Sequence, residues 1–208
     1  MLNKAYSGFF LTIEGGEGCG KSTLSDGLRK ELEARGHAVV RTREPGGTPL
    51  SEKVRDLLLH PGEGVSICER AEMLLFLTSR VQHIHELILP ALREGKVVIC
   101  ERFNDSTLAY QACARHMGEL DVEKICALVC DHIQPDCTLL LDLDPEVGLS
   151  RFTSRDRLES EELQFHRDVR KGYLHLLDKF SERIHLIDAS KSAKEVLEAA
   201  LEIVDVKF

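Results

Sequence analysis

The stretch Phe9–Leu24, FFLTIEGGEGCGKSTL, constrains this chain more than any other. An apolar, β-branched run (Phe9, Phe10, Leu11, Thr12, Ile13) stops at glycines and restarts with the spacing of a helix. Within it Gly15, Gly20, Lys21 and Ser22 satisfy G-x-x-x-x-G-K-[ST], a phosphate-loop pattern. Glycines let successive backbone N–H groups turn inward as a nest for phosphate oxygens. Gly15, Gly16, Glu17, Gly18, Cys19, Gly20, Lys21, Ser22 and Thr23 are therefore the expected cradle for the phosphates of a nucleoside triphosphate. Lys21 reaches the β- and γ-phosphates, the Ser22 hydroxyl ligates Mg²⁺, and the positive end of the following helix faces the same anion. The alternative is a glycine-rich turn between a strand and a helix, with no ligand.

Further runs of the same kind follow in alternation with helical patterns. Strands are expected at Phe9–Glu14, His37–Arg43, Val97–Cys100, Thr138–Leu143 and Arg183–Ile187. Helices are expected over about 21–35, 51–59, 68–92, 106–117, 121–133, 159–180 and 193–204, with Asp144-Pro145-Glu146 marking a further helix start. Near-continuous apolar strands alternating with helices predict a parallel α/β sheet covered on both faces. Ligands of such sheets bind beyond the carboxyl ends of the strands, which singles out Gly15–Ser22, Arg43–Gly47, Glu101–Phe103 and Asp188.

Composition sets limits on partners. The 208 residues are expected to form a single domain, and a formal net charge of −8 argues against a broad nucleic-acid face. The seven cysteines form no C-x-x-C pair, so neither a disulfide framework nor a zinc site is indicated; Cys126 and Cys130 read as buried thiols. His83 and His85, two apart on a helix, point to different faces and read as structural or solvated. No run approaches a membrane span and MLNKAYSG lacks a secretory apolar segment, so a cytoplasmic protein is expected.

A second carboxylate should help organise the metal, and Glu101 and Asp142 both follow apolar runs. Glu101 is favoured because Arg102 comes next, putting a carboxylate and a guanidinium at one strand end. Arg43, Arg55, Arg80, Arg102, Arg151, Arg155 and Arg157 collect where phosphates would. The last three occupy a short polar segment, about 150–160, that reads as a closing lid supplying catalytic charge; an exposed charged helix start is the alternative.

Thr42-Arg43-Glu44-Pro45-Gly46-Gly47 resembles the T-R-E-P-G-G signature of thymidylate kinases. The similarity runs from IEGGEGCGKST through FLTSRVQ and AYQ to the terminal IDAS, almost the whole chain. It implies transfer of the γ-phosphoryl of ATP to dTMP with Mg²⁺, a P-loop nucleoside monophosphate kinase fold with a five-stranded parallel sheet in the order 2-3-1-4-5, and a homodimer. Matching positions imply that Phe76 stacks on thymine and Arg80 hydrogen-bonds the base. Thr107 and Gln111 supply further polar contacts, and Tyr110 sits at the sugar edge where a ribose 2′-hydroxyl would intrude. Glu17 faces the 3′-hydroxyl, Glu44 and Pro45 belong to the dTMP site, and Arg55 and Arg102 hold its phosphate. Since the loop interior Gly16-Glu17-Gly18-Cys19 has no basic residue, the pattern resembles the bacterial type in which lid arginines do the work beside Lys21 and Arg102.

Two departures stand out. The strand-three motif usually reads Asp-Arg followed by Tyr or His, whereas Glu101-Arg102-Phe103 carries an extra methylene. That displaces the carboxylate by about one bond length, exchanging direct for water-mediated metal coordination or the reverse. The lid is also short, with only Asp156 between Arg155 and Arg157. The rival readings are a kinase for another nucleoside monophosphate and a non-catalytic nucleotide switch. A switch has no use for Arg55, Phe76, Arg80 and Gln111, and the chain lacks N-K-x-D.

Overall fold

In the computed structural model, which describes residues 6–154 and 156–206, the apolar runs form one parallel sheet ordered β2-β3-β1-β4-β5. The strands are β1 (Phe9–Gly15), β2 (Val39–Arg43), β3 (Val97–Glu101), β4 (Cys137–Asp142) and β5 (Ile184–Asp188). Residues alternate between two cores, as the two-residue side-chain period requires. Leu11, Ile13, Val97, Ile99, Leu139 and Leu141 face one layer, with α1 (Lys21–Ala34) and α9 (Ala193–Asp205). Phe10, Val98, Cys100 and Leu140 face the other. Leu24, Leu28 and Leu32 form the buried stripe of α1, each worth roughly 1.5–3 kcal/mol against exposure.

The remaining helices are α2 (Pro49–Leu59), α3 (Glu69–His83), α4 (Leu89–Arg93), α5 (Asn104–Thr107), α6 (Glu119–Val129), α7 (Pro145–Ser150) and α8 (Leu163–Lys179). Among the described residues, none is long and apolar enough to cross a membrane.

The differences from the sequence expectation have local causes. The helix expected over 68–92 is α3 and α4 joined by a π-helical turn, Ile84–Ile88. Pro90 lacks the N–H that a continuous α-helix would need there. The helix expected over 106–117 is α5 followed by a π-helical stretch, Leu108–Ala114. Strand β2 starts at Val39 because His37 N donates to Leu32 O and still belongs to the end of α1. Helix α8 starts at Leu163, since the Asp156 side chain takes the N–H groups of Leu158 and Glu159 and holds a turn instead.

Candidate active site

The carboxyl ends of β1, β2 and β3 meet at one edge, where Ile13 and Arg43 both pair in register with Glu101. Gly20, at the N-cap of α1, has φ 95° and provides no side-chain cap, so the first N–H groups of that helix stay available to an anion. Lys21 Nζ lies over its own loop, 2.6 Å from Gly16 O and 3.1 Å from Gly15 O. Gly18 and Gly148 of α7 touch backbone to backbone. A Cβ on Gly18 would lie 2.2 Å from Gly148 O, and one on Gly148 would lie 2.2 Å from Glu17 O. Gly148 escaped the sequence reading because nothing local marks this long-range contact.

The two candidate carboxylates separate clearly. Glu101 Oε2 accepts from Ser22 Oγ at 2.6 Å, and Oε1 accepts from Ser25 Oγ at 2.7 Å and Arg41 Nη2 at 3.0 Å. Burial works against its ionisation, but the Ser22, Ser25 and Arg41 donors hold the carboxyl below its ordinary range. Asp142 instead grips Arg170 at 2.7 and 2.8 Å. Ser25 and Arg41 were missed; Ser25, one helical turn after Ser22, was the available signal.

Beside this cleft opens a cavity whose walls include every residue expected for the acceptor: Glu17, Glu44, Pro45, Arg55, Phe76, Arg80, Arg102, Thr107, Tyr110 and Gln111. Ser106, which the sequence did not point to, also lines it, as do Asp156, Leu158 and Glu159 of the segment expected to act as a lid. Phe76 is half-buried and belongs to none of the three core clusters, so its ring serves the cavity rather than the core. Arg80, one turn later on α3, is buried with every nitrogen engaged. Nε donates to Glu44 Oε2 at 2.6 Å, Nη1 to Thr107 Oγ1 at 2.7 Å and Asn104 Oδ1 at 3.1 Å, and Nη2 to Phe103 O at 3.1 Å.

The six-residue signature after β2 builds the back of this cavity. Glu44 Oε1 lies 3.0 Å from His83 Nδ1, and His83 Nε2 lies 2.7 Å from Thr42 Oγ1. Gly47, at φ 87°, has no room for a side chain, since a Cβ would meet His83 Nε2 at 2.5 Å. His83 is thus structural, and His85 is exposed, as expected. Glu44, His83 and Cys100 lie close enough to hold an ion. Both Glu44 oxygens are already taken by Arg80 and His83, however, and burial pushes the Cys100 thiol well up, so the donor set does not suit a metal. Cys126 and Cys130 are buried free thiols.

Glu17 and Arg102 join the two clefts, since both line each of them, as Arg55 does. Glu17 Oε1 accepts from Arg102 Nη2 at 2.7 Å and from the Tyr110 hydroxyl at 2.6 Å. Burial alone would raise this carboxyl; Arg102, Lys21 and Tyr110 outweigh it and hold it at about 2. Glu14, buried at the end of β1, goes the other way. Burial and the nearby Asp105 carboxylate push it up to about 7.

The lid arginines divide. Arg151 lines the phosphate-loop cleft, with Lys21, Ser22 and Glu101, and donates from Nη1 to Gly18 O at 2.7 Å. Arg157, expected with Arg151 and Arg155 to supply catalytic charge from the lid, is held elsewhere. It lines neither cleft: Nε donates to Leu58 O at 2.8 Å, and Nη2 pairs with the buried Glu72 carboxylate at 2.7 Å. A buried carboxylate on α3, which also takes Gln111 at 3.0 Å and Arg115 at 3.2 Å, attracts the nearest guanidinium. Arg155 lies outside the described residues.

Comparison with known proteins gives a consistent result. A family model described as "Thymidylate kinase" matches residues 13–200. The chain is 47% identical to the thymidylate kinase of Protochlamydia amoebophila, covering 100% of this chain and 97% of that one. Identity to the thymidylate kinase of Clostridium novyi is 44%, over 92% and 95% of the two chains. The crystal structure of thymidylate kinase from Ehrlichia chaffeensis superposes with a TM-score of 0.79 at 32% identity, covering 95% of this chain and 99% of that one.

Proposed function

The chain belongs to the thymidylate kinase family, and from that premise we propose how its residues divide the transfer of the γ-phosphoryl of ATP to dTMP. One observation carries the division: the phosphate-loop cleft and the cavity around Phe76 share a wall made of Glu17, Glu44, Arg55, Arg102 and Glu159, in which Arg55 and Arg102 are the cationic groups. A donor phosphate on one side and an acceptor phosphate on the other then meet across two guanidinium groups. Phosphoryl transfer needs little more than such positioning and the neutralisation of spreading charge.

On the donor side, the N–H groups of Gly16–Ser22 and the Lys21 ammonium hold the β- and γ-phosphates. The nucleoside extends along Thr23, Arg151 and Lys191 toward the end of β5. Arg151, already against the loop, is the lid residue placed to follow charge onto the transferred group. On the acceptor side, thymine lies against Phe76, with Arg80, Thr107 and Gln111 presenting polar groups to its edge. Tyr110 closes the sugar edge, and Glu17 accepts the 3′-hydroxyl. Arg55 and Arg102 take the monophosphate; Arg55 donates from Nη1 to Pro45 O at 3.0 Å and keeps further donors to offer.

Ser22 and Glu101 suit a hard divalent cation: a hydroxyl and an ionised carboxylate 2.6 Å apart at the mouth of the phosphate loop. The ion proposed is Mg²⁺, which when bound with ATP offsets the charge of the β- and γ-phosphates. Ser25 and Arg41 then act on the far Glu101 oxygen and fix its orientation.

The protein is further proposed to be one kinase domain with a lid near 150–160, to act in the cytoplasm, and to pair as a homodimer. Leu50 and Leu57 on α2 and Leu74 and Val81 on α3 are exposed apolar residues on two packed helices, suited to a second copy, and light scattering tests this. The decisive functional test is coupled ADP release with dTMP, dUMP, CMP and AMP side by side. Fast release with dTMP is expected; equal slow release with and without every acceptor overturns the reading.

A further inference from the structure

Glu14 belongs to neither cleft, yet it carries a dense set of bonds for a buried carboxylate. Its Oε1 accepts from the backbone N–H groups of Phe103 at 2.7 Å and Ser106 at 3.3 Å. Its Oε2 accepts from Ser106 Oγ at 2.6 Å and from the Tyr173 hydroxyl at 3.0 Å. Both sets of donors lead to Arg102. This residue sits at φ 69°, in the left-handed region that a bulky side chain rarely adopts, and such a turn persists only where its surroundings over-determine it. The N–H groups that follow it, Phe103 and Ser106, are the ones Glu14 anchors.

The side chain is anchored from the same carboxylate. Arg102 Nη1 donates to Tyr173 Oη at 3.2 Å and to Ser106 Oγ at 3.3 Å. A guanidinium only donates, and an ionised carboxylate only accepts. Ser106 Oγ and Tyr173 Oη also lie 2.7 Å apart, so one hydroxyl proton goes to Glu14 and the other is taken either by Glu14 or by the neighbouring hydroxyl; either way the lone pairs of both oxygens are left to face Arg102. We propose that Glu14 is a positioning residue for Arg102: through the turn at 103–106 and the Ser106 and Tyr173 hydroxyls it sets the conformation and aim of the guanidinium that takes the acceptor phosphate.

This rests on Arg102 being the acceptor-phosphate ligand, so the test separates the two ideas. Glu14→Gln keeps the shape but puts an amide donor against the hydroxyls. One hydroxyl can still donate to the other across their 2.7 Å contact, but at least one proton must then turn toward Arg102, donor against donor. In mildly alkaline buffer, KM for dTMP is expected to rise about tenfold or more, with KM for ATP unchanged. Competitive inhibition by thymidine, which has the base and sugar but no phosphate, is also expected to stay unchanged. In an Arg102→Ala background, Glu14→Gln should add less than about twofold, because the group it aims is gone. Should Glu14→Gln fail to fold, Tyr173→Phe removes one link of the same chain and is read in its place.

Thymidine inhibition weakening in parallel with dTMP would mark a general loosening of the cavity and overturn the proposal. An unchanged KM for dTMP in the folded variant, with Arg102→Ala still raising it, overturns it too. If Arg102→Ala itself leaves KM for dTMP unmoved, the assignment of Arg102 fails, and the positioning role fails with it.

Discussion

Glu17, inside the phosphate loop, lies 2.7 Å from the Arg102 guanidinium at the end of β3, so one ion pair ties the phosphate loop to the wall of the cavity around Phe76. The pair is mostly buried, and the Glu17 carboxyl titrates at about 2 against an ordinary 4.5. Burial opposes this, and Arg102, Lys21 and Tyr110 overcome it. A carboxyl depressed by folding adds stability above its unfolded value and loses it as pH falls toward the folded one. Wild type should therefore exceed Glu17→Gln by about 3 kcal/mol at neutral pH, and the gap should close between about 4.5 and 2. Urea titrations across that range measure it, and a gap independent of pH would contradict the ion pair.

Glu14 gives the opposite slope. Its carboxyl titrates at about 7, raised by burial and by Asp105, against the attraction of Arg102. Between about 4.5 and 7 the folded protein holds a proton that the unfolded chain has released, so this group makes stability fall as pH rises. Glu14→Gln cannot titrate. Its Tm relative to wild type should rise steadily across that window, read from melts at several pH values.

The contrast between these two glutamates shows what the sequence could and could not convey. The spacing of Gly15, Gly20, Lys21 and Ser22 made the loop legible because chemistry there is local. The sheet was legible because each strand is apolar throughout, as burial on both faces demands. Phe76 and Arg80 could be paired from one helical turn. The link from Glu14 to Ser106 and Tyr173, the Gly18–Gly148 contact and the pull of Glu72 on Arg157 join residues far apart in the chain, and no local pattern encodes them. The π-helical stretch at Leu108–Ala114, which carries Tyr110 and Gln111 to the cavity, was likewise hidden, since its hydrophobic spacing resembles that of an α-helix.

Lys21→Ala should lower kcat by at least about a hundredfold. The ammonium donates to Gly15 O, Gly16 O and Cys19 Sγ of its own loop, so the fold should persist. Single-turnover kinetics beside circular dichroism check both halves. An active, folded variant would remove the phosphate-loop assignment.

Phe76→Ala and Arg80→Ala should behave differently although both line the same cavity. Phe76 is half-buried and outside the core clusters, so its truncation should raise KM for dTMP about tenfold or more with little change in Tm. Arg80→Ala strands the Glu44 carboxylate without its 2.6 Å partner, a loss of roughly 3–5 kcal/mol when a buried pair is broken. Its KM defect should therefore come with a large drop in Tm. Parallel calorimetry and kinetics separate the two, and a stable Arg80→Ala protein would contradict the buried pair.

Arg151 and Arg157, both expected from the sequence to serve the transferred phosphoryl, should also diverge. Arg151 touches the phosphate loop at Gly18 O and lines the donor cleft, so Arg151→Ala should lower kcat about tenfold or more while KM for dTMP stays put. Arg157 is bound to Glu72, and Glu72 Oε1 in turn accepts from Gln111 Nε2 at 3.0 Å on the cavity wall. Removing it frees charge on a carboxylate that leans on the acceptor side. Arg157→Ala should accordingly lower Tm and raise KM for dTMP, with kcat changed less than about threefold. Steady-state kinetics at saturating ATP distinguish these outcomes. A kcat loss at Arg157 as large as that at Arg151 would mean that the guanidinium leaves Glu72 during turnover and reaches the phosphoryl after all.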